Sequence, residues 1–185
     1  MTTIETTADL YRRVADTFTD RVDAVPADRW DASSPCDGWT TRDVLSHVVD
    51  SQKQMVGVVG LSVPDGPPVT TDPVAAWRHT RDAVQAILDD PAKATLEYDG
   101  HFGRTDLAST FRTFYCFDLV VHGWDIARAA GLGETIPDQD LDLLDEVIAQ
   151  LGDAIHSDGV CGPALEVSPD ADRQTRLLAL LGRRA

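Results

Sequence analysis

The chain has 185 residues, which is enough for one domain with a substantial core. Its 31 acidic and 16 basic residues give a formal net charge of −15 at pH 7. This charge repels phosphate backbones and anionic bilayers, so we expect no nucleic-acid and no membrane partner. Three cysteines are too few for a disulfide framework, and the N-terminus lacks the pattern of a signal peptide. The composition therefore predicts a single cytoplasmic domain over residues 1–185.

Apolar residues that recur every three or four positions predict five helices and a short sixth one. Thr40 and Asp43 have the spacing of a capping box at the start of the second helix. Asp72 followed by Pro73 is a typical start for the third, and Gly131 ends the fourth. The predicted ranges are about 8–25, 41–60, 73–90, 105–130, 138–151 and 170–184.

Four long helices with connections of moderate length predict an all-α fold. We expect an antiparallel four-helix bundle over about residues 8–151, with the second and fourth helices facing each other. Residues 94–104 are predicted as a loop with a short extended piece, and residues 163–169 as a brief strand. Residues 152–185 then form a C-terminal extension of short extra elements.

Asp118 and His122 lie four residues apart in a stretch, 111–130, that is apolar almost all the way round. This spacing places both side chains on one helix face, roughly 6 Å apart. Burying an ionised carboxylate costs several kcal/mol unless a cation or hydrogen bonds compensate it. The pair is therefore interpreted as metal ligands, with a hydrogen-bonded Asp/His pair in a helix interface as the alternative.

His47 lies among Val44, Leu45 and Val48 on the second predicted helix, so its imidazole is expected to face the core. The alternative is that His47 is an ordinary core histidine and binds no metal. Facing helices that carry two imidazoles and one carboxylate form a typical metal site of helix bundles. Three protein ligands leave a coordination position open, as in catalytic sites. Zinc is the first candidate metal for such ligands, with nickel and iron as alternatives.

Two further residues lie near this predicted site. Asp125 follows His122 by three residues, so it could accept a hydrogen bond from the imidazole nitrogen that does not bind metal. An ion pair between Asp125 and Arg128 is the alternative. Cys36 precedes the second helix and is expected to be a buried structural cysteine, with a reactive thiol as the alternative.

His101 and Arg104 precede the fourth predicted helix. We expect them to belong to a solvated loop, with contact to an anionic substrate as the alternative. Cys116 lies roughly 200° around the helix from Asp118, so it is not expected to share the same metal.

The segments PCDGWTTRDVLSHVV, FDLVVHGWDIARAAG and DRQTRLLALLGRR resemble the DinB/YfiT-like superfamily. Within it they are similar to actinobacterial metal-binding proteins related to the N-terminal domain of mycothiol-dependent maleylpyruvate isomerase. The resemblance covers nearly the whole chain and implies that His47, Asp118 and His122 hold a divalent metal. That isomerase has a glutamate where this chain has Asp118, and a further C-terminal domain for which residues 152–185 leave little room.

The resemblance also implies a reaction class. Relatives in the superfamily include enzymes that use low-molecular-weight thiols, so we expect a metal-dependent transferase or isomerase. Mycothiol would be the co-substrate, and a small electrophile would be the substrate. The alternative is a non-catalytic helical bundle that binds metal or a small ligand for sensing, storage or structure. A homodimer is a further expectation.

Overall fold

A computed structural model describes residues 5–157 and 160–185. The described chain is mostly helical, with one small two-stranded sheet. It divides into two compact units, Met1–Gly133 and Glu134–Ala185, which are described separately below. The single domain expected for residues 1–185 stays a prediction.

Within residues 5–133, the first unit contains six α-helical segments, a 3₁₀ turn, a π turn and a β-hairpin. In chain order these are α1 (Thr7–Ala24), the 3₁₀ turn (Ala27–Arg29), α2 (Thr41–Val58), α3 (Pro73–Leu88), α4 (Pro91–Ala94), β1 (Glu97–Gly100), β2 (Gly103–Asp106), α5 (Leu107–Thr110), a π turn (Phe111–Tyr115) and α6 (Cys116–Ala130).

The predicted helix ends are confirmed where polar side chains cap them. The hydroxyl of Thr40 accepts from the backbone N–H of Asp43 at 3.2 Å, and the Asp43 carboxylate accepts from the backbone N–H of Thr40 at 2.9 Å. Asp72 accepts from the backbone N–H of Ala75 at 3.0 Å at the start of α3. Gly131 ends α6 with a φ of +73°, a left-handed conformation that glycine adopts without strain.

The prediction of one continuous helix over about residues 105–130 is wrong at its start. Thr105 pairs with Tyr98 in the antiparallel hairpin of β1 and β2. Asp106 then caps α5 by accepting from the backbone N–H of Ser109 at 2.7 Å, so the helix begins at Leu107. The π turn follows, and α-helical geometry resumes only at Cys116. The extended piece expected within residues 94–104 is therefore a hairpin strand with a partner.

The long helices of the first unit pack in pairs. α1 contacts both α3 and α6, and α2 contacts the same two helices. Large aromatic side chains fill the space between them, and those without exposed surface include Tyr11, Phe18, Trp77 and Trp124. Phe18 and Trp77 meet edge to face, with ring centroids 4.7 Å apart. This packing brings α2 and α6 together, as the predicted metal site requires.

Gly123 lies in α6 where that helix packs against α1. A Cβ at this position would lie 3.0 Å from Nη1 of Arg21 and 3.3 Å from Cδ2 of Phe18. We expect Gly123→Val to lower the free energy of unfolding by about 1–3 kcal/mol, because the branched side chain overpacks the interface. Urea denaturation monitored by circular dichroism measures this change.

Gly57 is the matched control, since it is also helical but a Cβ added there would meet no other atom within 4 Å. Gly57→Ala is expected to raise the free energy of unfolding by up to about 1 kcal/mol. A Gly123→Val variant with the wild-type urea midpoint would contradict the proposed close packing of α6 on α1.

The second unit contains α7 (Asp138–Leu151), a 3₁₀ turn (Gly152–His156) and α8 (Arg173–Leu180). The strand predicted over residues 163–169 is wrong. The backbone N–H of Leu165 donates to the carbonyl of Ala179 at 2.8 Å, so this segment bonds to the end of a helix and pairs with no strand of the described part of the chain. Among the helices of residues 5–157 and 160–185, none has both the length and the apolar character needed to cross a membrane.

Candidate metal centre

The three predicted ligands come together between α2 and α6. Nε2 of His47 lies 3.7 Å from Oδ2 of Asp118, and the rings of His47 and His122 meet edge to face with centroids 5.1 Å apart. One ligand atom from each of the three residues lies within 4.8 Å of the others. Asp118 and His122 reach this point from successive turns of α6, as their i, i+4 spacing predicted.

Exposure differs sharply between the ligands. The side chains of His47 and Asp118 are 37% and 36% exposed, whereas that of His122 is only 9% exposed. The expectation that the His47 imidazole faces the core and that the Asp118 carboxylate is buried is therefore wrong, because both side chains lie at the solvent edge of the contact between α2 and α6. The group is therefore open to solvent on the side of His47 and Asp118 and closed behind His122.

His122 is held from behind by Asp125. Its Nδ1 lies 3.0 Å from Oδ2 of Asp125, whose side chain has no exposed surface. This is the position predicted for Asp125. Because Nδ1 is engaged by the carboxylate, Nε2 is the nitrogen left for a metal. The guanidinium of Arg128 lies over the ring of Trp124, 5.6 Å from the centroid. The alternative ion pair between Asp125 and Arg128 stays a prediction.

The sequence interpretation missed the contact that Cys36 makes with this pair. Its Sγ donates to Oδ2 of Asp125 at 3.3 Å, and its side chain is half-buried. Cys36 therefore lies beside the candidate site and is half-buried, whereas a buried cysteine was expected. No sequence signal reveals this, because 89 positions separate the two residues and only tertiary packing brings them together.

The position of Cys36 depends on a tight reverse turn before α2. The backbone N–H of Ser34 donates to the carbonyl of Trp39 at 2.8 Å, and that of Trp39 donates to the carbonyl of Cys36 at 3.0 Å. Gly38 adopts a φ of +75° in this turn, which explains a glycine there. The turn fixes Cys36 and Trp39 on the same side of α2.

Trp39 forms an aromatic wall beside both imidazoles. Its ring centroid is 5.1 Å from that of His47 and 6.5 Å from that of His122. The indole is 37% exposed, although a ring of this size is usually well buried. A ligand that enters from the open side would pass along this ring.

The electrostatics of the site centre on His122. Burial disfavours its charged form, but the hydrogen bonds to Asp125 and Cys36 and the nearby charge of Asp118 outweigh burial and raise the pKa of His122 to about 10. Burial also raises the pKa of Tyr115, and Asp118 adds to that effect, so the phenol stays neutral at the edge of the site. A metal that binds Nε2 must therefore displace a tightly held proton from His122.

The other residues considered from the sequence lie elsewhere. His101 is exposed between the two strands of the hairpin, where its ring contacts Phe102. Arg104 pairs with Glu97 at 2.9 Å and lies 3.5 Å from Asp99. This geometry agrees with the expectation that His101 and Arg104 belong to a solvated segment. Cys116 is fully buried.

The comparison with known families agrees with the sequence resemblance. Residues 11–127 match the model of the mycothiol maleylpyruvate isomerase N-terminal domain, and the chain belongs to this family. The match ends within α6, just after Asp125, so it includes both helices of the candidate site.

Two similar proteins are the uncharacterized proteins Rv0738 and MT0763 of Mycobacterium tuberculosis, from strains H37Rv and CDC 1551. Each is 30% identical to this chain over 122 residues. The match covers 65% of this chain and 65% of the length of each relative. No solved structure matches the chain.

Proposed function

We propose that this protein is a divalent-metal enzyme that uses a low-molecular-weight thiol as its nucleophile. The enzyme would either join this thiol to a small electrophile (S-transfer) or isomerise that electrophile. One observation supports it above all. His47, Asp118 and His122 present ligand atoms within 4.8 Å of one another in a chain whose family is named for a mycothiol-dependent isomerase. Three protein ligands leave at least one coordination position for a thiol or water.

The donor set suits the proposed metal. Two imidazoles and one carboxylate fit zinc, our first candidate, and also nickel or iron. Asp125 would fix the ring orientation of His122 and strengthen its basicity through Nδ1. His47 and Asp118, which are the more exposed ligands, would leave the solvent side of the site available to the thiol.

A divalent metal held by these residues would lower the pKa of a thiol and keep its sulfur in place as a nucleophile at neutral pH. The aromatic wall of Trp39 would position the electrophile beside that sulfur. If the thiolate adds to an activated double bond and leaves after rotation, the result is cis–trans isomerisation. If it remains bonded to carbon and the neighbouring carbanion takes up a proton from solvent, the result is a thioether conjugate.

Several wider features belong to the same proposal. We propose that α1, α2, α3 and α6 form the DinB-like four-helix bundle, which is supported by their pairwise contacts. A cytoplasmic location is supported by the three cysteines, none of which is in a disulfide. The net charge of −15 favours a small-molecule substrate over nucleic acid or an anionic membrane. A homodimer is proposed without a specific interface.

The test begins with metal content. Protein purified without a metal-binding tag should contain near one equivalent of a divalent metal by plasma mass spectrometry, and His122→Ala, which removes a ligand of the proposed site, should lose it. His101→Ala is the matched control, because it removes an exposed histidine of the hairpin. Titration of the loaded protein with mycothiol should then change the spectrum of a cobalt-substituted site.

Either of two results would contradict the proposal. Absence of metal from the wild type, even after incubation with zinc or nickel, would leave a hydrogen-bonded network with no metal chemistry. A bound metal that exchanges no ligand with thiol or water would indicate the non-catalytic alternative, a structural, storage or sensing site.

A further inference from the structure

A second group of potential metal ligands lies on the buried side of His122. Cys36, His122 and Asp125 each offer one ligand atom, and these atoms lie within 4.8 Å of one another. Sγ of Cys36 and Nδ1 of His122 both point to Oδ2 of Asp125, at 3.3 Å and 3.0 Å. We propose that these three residues form a second, thiolate-containing site for a divalent metal.

The distances within this group are close to those that zinc requires. Zinc binds thiolate sulfur at about 2.3 Å, imidazole nitrogen at about 2.0–2.1 Å and carboxylate oxygen at about 2.0–2.2 Å, in a tetrahedron. For these bond lengths the tetrahedron edges are roughly 3.4–3.6 Å long. The observed separations of 3.3 Å and 3.0 Å are shorter by a few tenths of an ångström. Small side-chain rotations would therefore admit the ion without movement of α6.

The charge balance also favours a divalent ion. In the metal-free group, one proton lies on Sγ of Cys36 and another on Nδ1 of His122, and both are donated to the Asp125 carboxylate. A divalent cation that replaces these two protons leaves the net charge of the group unchanged, and both protons go to solvent. The buried Asp125 thus exchanges two hydrogen bonds for a metal bond without a new unbalanced charge.

The two donor groups compete for one imidazole. A neutral imidazole has a single lone pair available to a metal, on either Nδ1 or Nε2. Metal at Cys36 and Asp125 therefore needs the lone pair of Nδ1, whereas metal at His47 and Asp118 needs that of Nε2. Thiolate ligation favours softer ions, so the second group should take zinc in preference to harder divalent ions.

Cobalt titration tests this site, because a thiolate ligand gives cobalt an intense near-ultraviolet charge-transfer band that imidazole and carboxylate do not give. The full-length protein is titrated anaerobically, without added thiol, as wild type, Cys36→Ser, His47→Ala and Cys161→Ser. Cys161 is the matched control, since it is also half-buried but belongs to the second unit. We expect the band in every protein except Cys36→Ser. The cobalt affinity of the site that gives the band should be at least as high in His47→Ala as in wild type, because the competing group is removed there.

The outcomes separate this site from the function proposed above. A band that survives His47→Ala and is lost in Cys36→Ser supports the second site, whatever the fate of the proposed enzyme activity. Cobalt bound without a thiolate band in wild type, and lost in His47→Ala, overturns the second site and leaves the proposed function intact. If Cys36→Ser does not fold, the wild-type band and its persistence in Cys161→Ser still decide the question, since Cys116 belongs to neither group of potential ligands among the described residues.

Discussion

His122→Ala is expected to abolish metal binding in both proposed donor groups, which is the largest effect expected from any single substitution in this protein. His122 is common to the group with His47 and Asp118 and to the group with Cys36 and Asp125. Loss of a mere hydrogen-bond partner of a metal-binding histidine costs about 10- to 100-fold in affinity, and loss of the ligand itself should cost more. Competition with a chromophoric chelator measures the affinity.

The controls follow from the same geometry. His47→Ala and Cys36→Ser should each affect one group only, and His101→Ala should affect neither. Because His122→Ala removes the partner of a buried carboxylate, its fold must be checked by circular dichroism, and His122→Gln provides a second variant that keeps a donor. A folded His122→Ala or His122→Gln variant with wild-type affinity would show that metal binds elsewhere.

Asp125→Ala should give the largest loss of stability in the metal-free protein. The Asp125 side chain has no exposed surface and accepts hydrogen bonds from both His122 and Cys36. Removal of one partner from a buried ion pair destabilises by about 3–5 kcal/mol. Asp118→Ala is the matched control on the same helix, because its side chain is 36% exposed and should contribute less than about 1 kcal/mol. Urea denaturation in the presence of a chelator measures both changes.

The pH dependence of stability gives a separate measure of the same pair. The hydrogen bonds of His122 outweigh the effect of burial and raise its pKa to about 10, whereas a histidine in an unfolded chain has a pKa of about 6.5. The resulting stabilisation is fully present below about pH 6.5 and is lost as the pH rises to about 10. It amounts to at most about 5 kcal/mol. Asp125→Asn should flatten this decline, and an unchanged slope would contradict the assignment of the decline to this pair.

The main helices and the three candidate ligands could be predicted from the sequence for simple physical reasons. Capping residues such as Thr40 and Asp72 define helix starts locally, so the ends of α2 and α3 could be predicted to within a few residues. The i, i+4 spacing of Asp118 and His122 fixes their common face without any knowledge of the rest of the chain. His47 could be added because its apolar neighbours indicated a helix that packs on the core, although its own imidazole is 37% exposed and does not face the core as expected.

The features that the sequence did not predict depend on contacts between distant segments. Cys36 reaches Asp125 only because the turn before α2 folds onto α6. The strand expected at residues 163–169 fails because β structure needs a partner strand, and Leu165 instead bonds to Ala179. The π turn has no local signature either, since its five residues are compatible with an ordinary α-helix.

That π turn has a consequence for how the chain can vary in length. A π turn holds one residue more than an α-helical turn, and one residue corresponds to about 100° of rotation along a helix. Deleting one residue from Phe111–Tyr115 would therefore rotate the buried Leu107 and Thr110 out of the core, while Asp118 and His122 kept their places against α2. Insertions and deletions should thus accumulate in the hairpin between residues 97 and 106, whereas the five-residue turn keeps its length among relatives that share this core.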